Sequence, residues 1–179
     1  MRSLRLALSV LAALGAMPAA ADTAKPYAGQ QERPVSSFSE ADVRALLAGE
    51  GQGLAKPAEL NGYPGPAHLL EMQEELELDG DQIAAIQGSF DRMLERAKEI
   101  GVELLAAEAE LDGLFRERRA DPDSLAAALR KTADLRMSLR ETHLKAHLEV
   151  APLLTDHQRQ AYALLRGYGG AGHGRHGSH

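Results

Sequence analysis

The sequence has neither cysteine nor tryptophan among its 179 residues. The lack of cysteine removes disulfides and thiolate metal sites together. Three phenylalanines and four tyrosines are the only aromatics. A core must therefore come from Leu, Ala, Ile and Met, the residues that helices use against helices, and no convincing strand pattern appears. No apolar run reaches the roughly 20 residues of a good membrane span. Also missing are a nucleophile motif, a glycine-rich phosphate loop, a cofactor fingerprint and a paired-carboxylate setting. A non-enzymatic role is expected.

What is present begins with a targeting pattern. Arg2 and Arg5 precede the short apolar stretch Leu6 to Leu14, and Ala19-Ala20-Ala21 stands before Asp22. This reads as a secretory signal over 1–21, cleaved near Ala21, with no membrane insertion afterwards. The remaining chain keeps 18 basic and 26 acidic residues, a formal charge of −8. That excess of acid argues against nucleic acid and anionic membranes as partners. It suits cation binding, or simply solubility.

One stretch organises the rest. From Asp81 to Arg118 the apolar residues Ile83, Ile86, Phe90, Met93, Ala97, Ile100, Leu104, Ala107, Leu111 and Leu114 alternate at three and four. This is one helix face packed along its whole length. At ~1.5 Å per residue the helix spans ~55 Å, so it needs a partner of similar length. Gly101 lies beside the seam, where a neighbouring helix could approach closely. Asp121-Pro122 opens a second long helix to about Ala151, with Leu125, Leu129, Thr132, Leu135, Leu139, Ala146 and Val150 inward. The short turn near Arg119 makes the two antiparallel. Their seams exceed their joint surface, so a homodimer is expected.

Shorter elements flank this pair. Residues 22–62 form an N-terminal arm, extended to Ser37 and then helical from Glu40 to Ala48, with Ser39 as cap and Asp42 as its reciprocal partner. Leu54 to Pro66 is a structured turn region or a linker. A helix starts at Pro66 and runs to about Glu77, with Leu69, Met72 and Leu76 inward. The domain spans 63–167, and 168–179 is a flexible tail with His173, His176 and His179. Two capping boxes stand out. Asp79 caps the first long helix and Gln82 reaches back; Thr155 caps the last helix and Gln158 reaches back.

Those two helix starts, Leu78-Asp79-Gly80-Asp81-Gln82 and Leu154-Thr155-Asp156-His157-Gln158, resemble the LTxxQ repeats of the Spy/CpxP family of periplasmic proteins. The second matches fully; the first has aspartate in place of threonine. The run Gly51 to Leu70 looks like the heavy-metal sensor and resistance branch of that family, related to ZraP and CnrX. The resemblance implies an all-α, four-helix hooked hairpin, usually dimeric and without enzymatic activity. It also implies one of three roles: binding unfolded proteins, repressing a sensor kinase of envelope stress, or binding divalent metals. The repeats are structural caps and do not choose among these.

Candidate ligands come from the residues themselves. His143 and His147, four apart, place two imidazoles on one helix face, half-buried beside the seam and able to hold one ion. Folding back the shorter helix brings His68 within about two turns, ~10 Å, of them. Met72 follows His68 by one turn, and Glu71 is adjacent. Such ligands suit zinc, nickel, cobalt or copper better than calcium or magnesium. The alternative is a set of amphipathic seam residues bonded to neighbouring acids. The tail histidines could chelate loosely, or belong to an inert solubilising tail. The first functional expectation is a periplasmic divalent-metal-binding stress sensor or metal-resistance accessory. The second is a chaperone or adaptor for unfolded periplasmic proteins or a sensor kinase's periplasmic domain. Arg92, Arg96, Lys98, Arg130, Arg136, Arg140 and Lys145 would then form a basic face.

Overall fold

The computed structural model describes residue 25 and residues 27–168. Among these the protein is all-helical, with a long helix pair and shorter flanking helices and no strand. The elements are α1 (Glu40–Ala48), α2 (Lys56–Glu59), α3 (Pro66–Glu71), α4 (Gly80–Arg116), α5 (Pro122–Val150) and α6 (Asp156–Leu165). A single 3-10 turn, Ala151–Leu153, joins the last two. No helix among the described residues is long and apolar enough to cross a membrane. The expected signal over 1–21 and the histidines at 173, 176 and 179 lie outside the described residues.

α4 begins where the sequence placed it. The Asp79 carboxylate accepts from the Gln82 amide at 2.8 Å, and the Gln82 side chain accepts from the Asp79 amide at 3.0 Å. α6 repeats the device through Thr155 and Gln158. The two devices also meet. Gln82 Nε2 donates to Gln158 Oε1 at 2.9 Å, and Gln158 Nε2 returns the bond to Gln82 Oε1 at 3.0 Å. One amide pair therefore ties together two helix starts that are far apart in sequence. Arg159, which stands where a hydrophobic staple would, donates instead to the carbonyls of Ala151 and Leu154. It thereby adds a donor to carbonyls at both ends of the 3-10 turn.

The long pair is cross-linked by side chains in reversed order. Lys131 meets Glu110, Arg136 meets Glu108, and Glu149 meets both Arg92 and Ser89. Its interior holds two apolar clusters. Leu69, Leu76, Leu78, Ile86, Val150, Leu154 and Tyr162 gather around the capped ends. Leu46, Ala97, Ile100, Leu104 and Leu139 form the second, where α1 packs on α4. Gly101 explains how α1 gets so close. A Cβ there would lie 3.0 Å from the Leu46 carbonyl carbon and nearer still to its oxygen.

Several expectations need correction. The helix from Pro66 stops at Glu71 rather than near Glu77. Beyond it Glu77 takes a positive φ of 49°, and the turn brings both Leu76 and Leu78 into the core, which a continuous helix could not do. The segment after Leu54 contains the short helix α2, with Pro57 in its first turn. Among the described residues the arm is not extended. It runs as turns against α4, where Ser36 bonds Asp112 and Ser37 bonds Glu108. Its Phe38 ring lies 5.1 Å from the Arg136 guanidinium. Leu129, expected inward, is 49% exposed, because the seam of α5 passes through its neighbours Ser124 to Ala126, Ala128 and Thr132 instead.

Replacing Gly101 with alanine is expected to destabilise the protein by about 1–3 kcal/mol, since backbone and not a flexible side chain blocks the added methyl. Urea unfolding checks this. An unchanged midpoint would mean that the α1–α4 approach is looser than described.

Candidate functional site

Between the two clusters the seam opens into a cavity of about 670 Å³. Its floor comes from Phe90, Met93 and Leu94 on α4 and from His143 and His147 on α5. Its walls come from the glycine-rich stretch 48–53, from α2, and from the start of α3 including His68. Arg166 and Tyr168, just past α6, complete the rim. His68, His143 and His147 all line this one cavity.

The two imidazoles on α5 are more deeply set than sequence suggested. His143 is 4% exposed and His147 8%, so both are buried rather than half-buried. Glycine makes this possible. A Cβ on Gly65 would stand 2.8 Å from His147 Cε1, and one on Gly51 would stand 3.3 Å from His143 Nδ1. The backbone of the glycine-bearing turns thus lies directly on the rings. His147 Nδ1 is 2.7 Å from the Tyr63 carbonyl oxygen. A carbonyl only accepts, so Nδ1 carries a proton, and in the neutral ring Nε2 keeps its lone pair. Orientation of an imidazole by a backbone carbonyl is the arrangement that metal-ligating histidines favour. His143 Nε2 is buried with no hydrogen-bond partner. Burial pushes the His143 pKa below the ordinary 6.5, and the neighbouring His147 acts in the same direction.

His68 is differently engaged. Its Nε2 accepts from Arg166 Nη2 at 3.2 Å, and its Nδ1 is 2.9 Å from Glu71 Oε2. A guanidinium only donates, so the ring is neutral with its proton on Nδ1. Met72 faces away from this arrangement and packs against the cluster at the capped ends. It is not among the cavity-lining residues. Glu71 is exposed and reaches the cavity only through His68.

Sequence reasoning missed the residue on which the site turns. Glu59, at the end of α2, is largely covered, with 12% side-chain exposure. Its Oε1 accepts from the hydroxyls of Tyr162 at 2.5 Å and Tyr168 at 3.1 Å, and from Arg166 Nε at 3.3 Å. Its Oε2 is 3.9 Å from His147 Nδ1 and has no hydrogen bond. Burial, reinforced by the bond to Glu59, pushes the Tyr162 phenol well above its ordinary pKa, so it stays a donor. The only signal for Glu59 was its place in a proline- and glycine-punctuated turn, which carries no periodicity. His157 is exposed in the first turn of α6.

No family model, curated protein or solved structure matches this chain. The chemistry of the cavity is what remains to argue from. Its donors, three imidazoles and a carboxylate, are of the kind that transition metals prefer. Two buried polar atoms, His143 Nε2 and Glu59 Oε2, stand without partners, and each such atom costs ~1–3 kcal/mol unless something compensates. Among the described residues, however, no three of these side chains already converge as a metal-ligand group. The donor set fits a metal; its present spacing does not yet enclose one.

The depressed His143 pKa makes stability fall with acid. Below pH 6.5 the unfolded chain binds a proton that the folded chain refuses, down to the folded value. This residue's contribution is therefore present above 6.5 and lost as pH drops below it. Urea midpoints from about pH 7.5 to about 5.5 are expected to fall more steeply in wild type than in His143→Gln. Equal slopes would show that His143 takes up its proton without penalty.

Proposed function

We propose that this protein is a non-enzymatic periplasmic metal-binding protein, a stress sensor or metal-resistance accessory of Spy/CpxP-like design. Its site for a divalent transition metal would draw on His143 and His147, with Glu59 as the carboxylate donor. The observation that carries this reading is the pair of partnerless buried atoms, His143 Nε2 and Glu59 Oε2, on side chains of one cavity. The ion would supply a partner for the free Oε2 of that carboxylate and an acceptor for imidazole lone pairs. The carbonyl of Tyr63 would fix the orientation of His147. A four-helix hooked hairpin, paired as a homodimer, is part of this proposal. Leu129, Met137 and Leu148 support it, since all three are exposed and fall within ~100° of one another around α5.

The chaperone or adaptor reading has less behind it. Of the seven cations expected to form a basic face, Arg92, Arg96, Arg136 and Lys145 are each paired with a glutamate. Their charge is largely spent within the long pair.

Calorimetry on the mature chain with His173, His176 and His179 changed to alanine isolates the cavity from the tail. Zinc, nickel, cobalt and copper are to be titrated separately. At least one is expected to bind, more weakly below pH ~6.5 because bound imidazole must be neutral. Adding His143→Ala with His147→Ala is expected to abolish that binding. Undiminished affinity in the double variant would remove the proposed site. In sedimentation the same chain is expected to run as a dimer, and a monomer would refute the pairing.

A further inference from the structure

Arg166 is the only cation bonded to the cavity's donors among the described residues, and it stands between two of them. Its Nη2 donates to His68 Nε2 and its Nε to Glu59 Oε1. The guanidinium also lies 5.8 Å from the Tyr168 ring centre, and its Nη2 is 3.4 Å from that hydroxyl. We infer that Arg166 occupies a cation position between His68 and Glu59, and that a divalent transition metal entering the cavity displaces it and frees the end of α6. The inference rests on the metal-binding reading of this cavity and adds His68 to its ligands.

Three observations support it. First, an arginine has donors only, so the atoms it touches present lone pairs. The lone pair of His68 Nε2 and the charge of Glu59 Oε1 are what a metal ion would use. Second, the guanidinium fits poorly. Arginine binds a carboxylate best as a bidentate fork, whereas here one N–H reaches one oxygen and Glu59 Oε2 is left without a hydrogen bond. A doubly charged ion would satisfy that carboxylate more fully. Third, the Arg166 side chain is 30% exposed and reaches water at the rim, so displacement does not strand a buried guanidinium.

Displacement has a mechanical consequence. Tyr168 and Arg166 are held to Glu59 by side chains, and their amides close the last turn onto Ala163 and Tyr162. Losing Arg166 from Glu59 removes one anchor of that turn. The state of the cavity would then be reported at the end of α6.

The test is a double-mutant cycle on the mature chain, again with His173, His176 and His179 changed to alanine. Zinc affinity is measured for that parent, for Arg166→Met, for His68→Ala and for both together. Arg166→Met is expected to tighten binding by at least about fivefold, and His68→Ala to remove that gain. Tyr168→Phe, which changes no charge, is expected to shift affinity in the same direction by less. Hydrogen exchange at the amides of 166–168 is expected to quicken when zinc is added to the parent. If the parent binds zinc but Arg166→Met binds no more tightly, or gains equally without His68, the displacement is wrong while the metal site stands. If neither parent nor Arg166→Met binds zinc, nickel, cobalt or copper, the metal reading has failed and the displacement fails with it.

Discussion

Backbone laid directly on two imidazoles is the constraint that the rest of the structure serves. A helix rarely buries two histidines one turn apart, since each ring brings a polar nitrogen into a space without water. Here Gly51 and Gly65 let main chain cover the rings: an added Cβ would clash with His147 at Gly65 and crowd His143 at Gly51. The Tyr63 carbonyl then fixes one ring, and the other keeps an unpaired nitrogen. The long pair supplies the floor, and the segment from 49 to 68 supplies the cover. That cover carries in Glu59, whose buried Oε2 stands 3.9 Å from His147 Nδ1.

The cover stays in place because the ends of the helices are tied. The Gln82–Gln158 amide pair joins the two capping boxes, and Gln158 Nε2 is also 3.4 Å from the Glu77 carbonyl. α6 is thereby docked so that Tyr162 reaches Glu59 and Arg166 reaches His68. At the far end the arm is pinned by Ser36 and Ser37, and the buried Glu108 finds both Ser37 and Arg136. The capping residues look purely local in the sequence. In the structure they set the position of the cavity's rim.

Legibility followed locality. The seam of α4, the capping residues Ser39, Asp79, Asp121 and Thr155, and the close approach at Gly101 all depend on neighbours three or four residues away, or on one small residue in a periodic stretch. The His143/His147 pair was visible for the same reason. Glu59, Arg166 and Tyr168 were not, because they matter only through one another and Glu59 lies more than 100 residues from the other two. Burial was also misjudged wherever a glycine turn, not a helix, did the covering. Leu129 went wrong in the opposite sense: its spacing fits the seam, yet nothing packs there.

The central claim is that the buried pair on α5 can take a divalent ion. X-ray absorption at the zinc edge, on residues 22–179 with His173, His176 and His179 changed to alanine, addresses it most directly. The account predicts outer-shell scattering from two or more imidazoles, with zinc–nitrogen distances of about 2.0–2.1 Å. A shell of oxygen alone, without imidazole scattering, would contradict it.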